Sequence, residues 1–208
     1  MSLRGGIIQG ASEDRLSKLI AARVEAGADT AEIDRRIWDL FGEEWCVMFT
    51  DLSGFSRGVA DFGIIHFLQT IFEAERILVP VIESHDGILL KVEGDSFFVI
   101  FRNVQKALRA SVAMQRAVRE YNVGKPDAEH ILLGVGLGFG RVLRIGDADV
   151  FGLEVNSACI LGEDIATGFE ILVTRAVRDG ADQIDGIGFE ELEDCPPGAG
   201  RAYRVIYE

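Results

Sequence analysis

The chain has 208 residues, a formal net charge of −13 and 48% hydrophobic residues. Such acidity excludes an electrostatic nucleic-acid binder, although a polyphosphate remains accessible if cations bridge the like charges. The apolar content excludes global disorder, and the length fits one large domain or a domain with an appendage.

In chain order, the MSLRGG start lacks the apolar region of a signal peptide. Ser12 reads as the cap of a first helix, with Leu16, Leu19, Ile20 and Val24 on one face and Gly27 as its stop. Asp29 caps a second helix through Phe41, with Ile33, Ile37 and Trp38 in its stripe and Gly42 ending it. Residues 1–43 therefore read as a flexible start and a short N-terminal helical extension that packs on the body or makes a dimer contact. Residues 44–208 form the main domain.

Trp45–Asp51 is a short buried strand, followed by a loop, Leu52–Asp61, whose backbone N–H groups can cradle an anion. A long amphipathic helix covers Gly63–Ser84, with a bend expected at Pro80. Ile88–Phe101 is two apolar runs around Glu93-Gly94-Asp95, an antiparallel hairpin with an acid at its turn and Lys91 on its first strand. If this hairpin neighbours the Trp45 strand, Asp51 and Asp95 meet at the sheet's rim. Two carboxylates there repel unless a cation lies between them. Taken singly, each also fits an ordinary turn acid beside glycine.

A further helix spans Val104–Tyr121. The strand Ile131–Phe139 carries Gly134, Gly136 and Gly138, which call for close approach either by a ligand or by tightly packed helices. With its four glycines, Ile131–Gly140 is the longest uncharged stretch near the middle of the chain, and it is too short to span a membrane. Gly140–Gly152 reads as a short hairpin or tight connection, and Val155–Ala166 as a helix. Ile171–Thr174 is a strand, Arg175–Gly180 a helix, and Ile187–Leu192 and Arg201–Tyr207 are strands. No 20–50-residue period recurs, and strands and helices do not alternate regularly. The expected class is α+β, a central and mostly antiparallel sheet flanked by helices. Cys46, Cys159 and Cys195 are widely spaced with no CxxC pattern, which suggests a reducing compartment and hence a cytoplasmic protein. Cys46 and Cys159 read as core residues. His66, His85 and His130 lack metal-ligand spacing.

Phe49-Thr50-Asp51-Leu52-Ser53-Gly54-Phe55-Ser56, Lys91-Val92-Glu93-Gly94-Asp95, Gly140-Arg141-Val142, and Gly146-Asp147 through Asp149-Val150-Phe151-Gly152 to Val155-Asn156 together resemble the catalytic domain of class III adenylate/guanylate cyclases. The resemblance covers about Glu44–Tyr207 and rests on the order and spacing of these pieces. It implies a ferredoxin-like core working as a head-to-tail homodimer with its sites at the interface. Asp51 and Asp95 match the carboxylates that bind two divalent ions, Mg²⁺ or Mn²⁺, with the Leu52 carbonyl completing the shell. Gly54, Phe55 and Ser56 match the triphosphate-binding loop. Lys91 and Asp149, from the partner subunit, match the base-reading pair in its adenine-type combination, and Asn156 matches the ribose-orienting residue. The implied substrate is a nucleoside triphosphate, most simply ATP, with no nucleic acid and no membrane involved.

Three departures accompany the resemblance. Ile160 stands where the family has an Arg on the α-phosphate. Glu193–Gly200 has no Lys where one usually contacts phosphates, Arg201 being the nearest cation. The Arg144–Asp149 loop is short. Arg141 or Arg144 is a candidate replacement. Without the resemblance, Lys91 reads equally as a snorkelling edge residue, and Asp149 and Asn156 as turn or cap residues. Two function classes follow: an active nucleotidyl cyclase, or a cyclase-derived domain that binds nucleotide or a protein partner without turnover.

Overall fold

The computed structural model describes residues 10–53, 63–147, 149–182, 184–193, 195 and 200–207. Helix α1 is Ala11–Arg23 and α2 is Thr30–Phe41. Helix α1 starts one residue before the expected Ser12 cap, with Gly10 as N-cap and its N–H donated to Glu13 (3.3 Å). The Asp29 side chain accepts from the Glu32 N–H (3.0 Å), the capping expected of it. Gly42 turns α2 directly into strand β1, Gly42–Leu52, so the strand is longer than the apolar run alone indicates.

Helix α3 is Ile64–Ser84 and includes Pro80. Strands β2 (Ile88–Glu93) and β3 (Ser96–Phe101) form the expected hairpin, followed by α4, Val104–Asn122. Strand β4, Leu133–Ile145, runs past the expected end at Phe139 and turns through Gly146 into β5, Asp149–Phe151. The β4–β5 pair is a short antiparallel hairpin. Helix α5 is Leu153–Cys159 and passes into a π-helical turn, Ile160–Ile165. The chain ends with β6 (Ile171–Thr174), α6 (Arg175–Gly180), β7 (Ile187–Glu191) and β8 (Ala202–Tyr207).

The sheet order is β2-β3-β1-β4-β6-β8-β7, with β5 paired to β4. Every pairing is antiparallel except β4 with β6. The segment β1-α3-β2-β3-α4-β4, with spatial order β2-β3-β1-β4, is the ferredoxin-like βαββαβ arrangement. It arises because each helix connects strands that flank a third, which the intervening hairpin or return strand then fills.

The two faces of the sheet are covered differently. On one, Ala74, Leu78 and Ile82 of α3 and Leu108, Met114 and Val118 of α4 pack on Met48, Phe97, Val99, Phe101, Val135 and Leu137, all fully buried. Asn122 fixes the approach to β4 by exchanging two hydrogen bonds with Ile131 (2.8 and 2.9 Å). On the other face, Trp45, Val47, Ile100, Val142, Val150 and Ala158 form a smaller cluster. There α5 and the π turn sit directly on the sheet. A Cβ at Gly136 would lie 2.3 Å from both Ala158 O and Gly162 N, and one at Gly138 would lie 2.3 Å from Glu154 O. Of the two readings left open for these glycines, packing against helix backbone is the one realised.

Helices α1 and α2 pack on each other and on β4 through Leu19, Ile33, Ile37, Phe41 and Ile145, with an Arg23–Asp34 ion pair (2.6 Å) alongside. This matches the expected packing of the extension on the body. Trp38 lies at this seam, whereas Trp45 belongs to the cluster on the second face of the sheet. Arg141 lies over the Trp38 ring (4.7 Å), while Trp45 lies between Arg102 (3.7 Å) and Arg144 (4.9 Å). In α1, however, Ile20 and Val24 stay exposed, so only part of the predicted stripe is covered.

Candidate active site

The site is built at one end of β1. Register pairs Phe49 of β1 with Phe98 of β3. Continuing it one residue at a time brings Asp51 opposite Ser96 and Leu52 opposite Asp95. The buried Thr50 Oγ1 accepts the Phe97 N–H (3.1 Å) and locks this end of the pairing. Both the Asp51 and Asp95 carboxylates take a backbone hydrogen bond at Leu52. The register thus sets the two acids at the same end of the β1–β3 pair, where the Leu52 backbone lowers each carboxyl.

Electrostatics of this corner are unfavourable as it stands. Burial first, then the charges of Asp95, Glu163 and Asp164, push Asp51 up to about 6 despite the Leu52 hydrogen bond. Asp95 is also raised, chiefly by burial and further by Glu163. Its Oδ2 is buried with no hydrogen-bond partner among the described residues. An unpartnered buried carboxylate oxygen beside a second carboxylate is the donor chemistry of a hard divalent cation. Among the described residues no group of three or more His, Cys, Asp or Glu side chains forms a metal cluster, so the fit rests on this pair and the Leu52 backbone.

A pocket of about 240 Å³ opens beside the pair, lined by Phe49, Lys91, Ser96, Phe98, Val150 and Glu163 among others. Phe49 and Phe98 stack across β1 and β3 (4.4 Å, 15°) and give it an aromatic wall. Lys91 on β2 and Asp149 on β5, 58 residues apart, form an ion pair. That hydrogen bond is the main reason the Lys91 ammonium is raised above its ordinary value. Lys has three donors, so Lys91 can hold Asp149 and still serve a ligand.

Asn156 is exposed on α5, next to the pocket residue Val155. Ser53 is tied by its N–H to Leu132 O (2.8 Å). Gly54, Phe55 and Ser56 lie outside the described residues. Ile160 is half-buried and packs with Leu161, Ala166, Leu172 and Ala202, an apolar setting in place of a phosphate-facing cation. Arg141 and Arg144 are engaged on the tryptophans described above, and Arg201 pairs with Glu191 (3.7 Å).

Two site residues escaped the sequence reading. Glu163, in the π turn, accepts hydrogen bonds from Ser96 Oγ and from Cys159 Sγ (3.1 Å). Cys159 is therefore not a core residue; burial and Glu163 push its thiol up to about 12. Glu154 accepts the Phe139 N–H (3.1 Å) and Thr174 Oγ1 (2.9 Å), tying α5 to β4 and β6. No sequence pattern marks Glu163; it follows Gly162, whose Cβ would fall 2.5 Å from Phe49 O. A residue following so tight a seat on β1 must stand close to the end of that strand.

Comparison with solved structures places this architecture. An adenylate/guanylate cyclase/hydrolase from Silicibacter pomeroyi superposes with TM-score 0.65 at 26% identity, over 79% of this chain and 95% of that one. The fold is that of a nucleotidyl cyclase catalytic domain. The adenylyl cyclase CyaB from P. aeruginosa (TM-score 0.66, 18% identity, 80% and 95% covered) shares this cyclase fold. So does the guanylate cyclase domain of RhGC from Catenaria anguillulae, solved with GTP (0.66, 15%, 79% and 97%). Among curated proteins, the chain is 29% identical over 134 residues to the serine/threonine-protein kinase pkn2 of Myxococcus xanthus. It is 27% identical over 125 residues to a putative adenylate cyclase 3 of Rhizobium meliloti. These matches cover 64% and 58% of this cyclase-fold chain but only 16% and 21% of those relatives. No family model matches the chain. No helix among the described residues is long and apolar enough to cross a membrane.

Proposed function

We propose that this cyclase-fold chain converts a nucleoside triphosphate, most simply ATP, into a 3′,5′-cyclic nucleotide and pyrophosphate. The observation that carries the reading is the convergence of Asp51 and Asp95 on the Leu52 amide, with Asp95 Oδ2 left unpartnered. The donor set suits two Mg²⁺ or Mn²⁺ ions, held by Asp51, Asp95 and the Leu52 carbonyl. Bound there, such ions supply activation of the ribose 3′-hydroxyl and neutralisation of the phosphates. The 3′-oxygen bonds to the α-phosphorus, the bond to pyrophosphate breaks, and the hydroxyl proton passes to bulk water. No protein nucleophile takes part, so positioning and charge provide the acceleration.

The chain's own residues have the following roles. Gly54, Phe55 and Ser56 meet the triphosphate through the loop after β1. Lys91 and Asp149 read the base, Lys91 donating and Asp149 accepting, a polarity suited to adenine. Asn156 orients the ribose. On the family's head-to-tail pattern, the complete site combines Asp51 and Asp95 of one subunit with Lys91, Asp149 and Asn156 of a second copy, which makes the working form a homodimer. The bounds 44–208 for the catalytic part, with 1–43 as its extension, belong to the same proposal.

The test is turnover of the purified chain with Mn²⁺ and each of the four common triphosphates. Cyclic AMP and pyrophosphate are expected from ATP, and Asp95→Ala should abolish them. A second reading has its own support in Ile160, which puts an aliphatic side chain into an apolar cluster where the family places its Arg. On that reading the domain binds nucleotide or a partner without turnover. Retained nucleotide binding with no cyclic product from any triphosphate would decide for it, and a large gain on Ile160→Arg would mark that position as the defect.

A further inference from the structure

The turn that carries Asp95 is tied across the site to the π turn. Ser96, the first residue of β3, donates its hydroxyl to one oxygen of Glu163, 67 residues further along the chain. The other Glu163 oxygen accepts Cys159 Sγ (3.1 Å), so the carboxylate is held by both oxygens. The π turn is itself seated on the sheet through Gly162, whose Cβ would fall 2.5 Å from Phe49 O and 2.9 Å from Gly136 N. Glu163 is thereby carried to the wall of the pocket beside the acid pair, and its charge bears on both Asp51 and Asp95.

This placement is unfavourable in the bare protein. A third carboxylate beside two others adds repulsion, whereas Ser96 needs only an acceptor, which a neutral glutamine also offers. Ile160, three residues earlier, packs into its apolar cluster and brings no compensating charge. A divalent cation at Asp51 and Asp95 reverses the sign, because the same third charge then attracts. Direct ligation is not the part Glu163 plays: both its oxygens are engaged, and among the described residues no group of three or more His, Cys, Asp or Glu forms a metal cluster. Groups just outside a metal's coordination sphere orient the ligands and tune affinity, and losing one typically costs about 10–100-fold.

We propose that Glu163 is a positioning residue of the divalent-cation site, fixing the Asp95 turn through Ser96 and strengthening the hold on the cation from outside its coordination sphere. This role rests on the reading of Asp51 and Asp95 as the metal acids. It gives the Glu163 charge a use that the fold alone does not.

The experiment follows Mn²⁺ binding to the full chain without nucleotide, by loss of the free ion's electron paramagnetic resonance signal. The titration runs to about 10 mM, past a millimolar dissociation constant. Saturable binding is expected in the native chain and none in Asp95→Ala. Glu163→Gln, which keeps an acceptor for Ser96, should weaken Mn²⁺ about tenfold or more with no fall in its metal-free urea midpoint. Ser96→Ala, which keeps the charge and removes the tether, should weaken it likewise, and it decides the matter if Glu163→Gln does not fold. Native affinity in either variant, with binding lost in Asp95→Ala, would overturn the role of Glu163 and leave the acid pair standing. So would a loss of affinity matched by a fall in the metal-free urea midpoint, which marks general loosening. No binding to the native chain, or equal binding by Asp95→Ala, would overturn the acid-pair reading itself and this role with it.

Discussion

The two faces of the sheet solve the same covering problem in opposite ways. Under α3 and α4 the strands meet helices through large side chains, so the two layers are separated by a full thickness of core. Under α5 and the π turn, glycines let helix backbone rest on strand backbone, and the cover is thin. The thin face leaves room at its edge for Phe49, Lys91, Ser96 and Glu163 around a cavity. Close backbone seating brings the short polar side chains of α5 and the π turn within reach of the strand ends. The comparison suggests that the thick face carries the stability and the thin one the chemistry.

Substitutions can break or sharpen that contrast. Phe101→Ala on the thick face should cost the most, about 3–5 kcal/mol in urea unfolding, because a fully buried ring is replaced by a cavity. On the thin face Gly136→Ala should cost about 1–3 kcal/mol, since the added methyl meets backbone atoms that cannot turn aside. A cost there below that of an ordinary surface change would mean that α5 is not seated as described. Next, Glu154→Ala should cost about 1–3 kcal/mol by leaving the Phe139 N–H without its acceptor.

A smaller effect should appear with pH at Glu170. Burial alone would raise this carboxyl, but the Thr167 N–H and hydroxyl and Arg204 outweigh it and hold it below its ordinary value of 4.5. The folded form therefore binds its proton less readily than the unfolded one. The group's stabilisation is complete above the ordinary value and fades as pH falls through the depressed one. Urea midpoints compared between about pH 5 and about pH 3 should drop less in Glu170→Gln than in the native chain. Smallest of all, Asp34→Ala should leave the urea midpoint close to the native one, because its partnership with Arg23 is exposed.

Much of this was legible in the sequence, and the reasons differ by element. The hairpin Ile88–Phe101 and strand Ile171–Thr174 stood out because β-branched and aromatic runs end at clear turn residues. The meeting of Asp51 and Asp95 followed from one assumption about strand neighbours, which the β1–β3 register meets. Strand β4 ran on past Gly140 because pairing with β1 continues to Gly42 and Leu143, a partnership invisible to local pattern. The π turn had no signature, since Ile160–Ile165 reads as ordinary helix until Gly162 is seen wedged against Phe49 and Gly136. Glu163 was missed with it, because its importance comes from that displacement and not from its own neighbours.

The arginine-capped indoles carry a practical corollary. With Trp38 on α2 stacked by Arg141 where the extension docks and Trp45 buried in the sheet, intrinsic emission reports on both the junction and the interior. The Trp38 share of the emission would register loosening of that junction before the interior gives way, whereas circular dichroism would follow the helices and sheet themselves. A gap between the two curves would measure how independently α1 and α2 come loose.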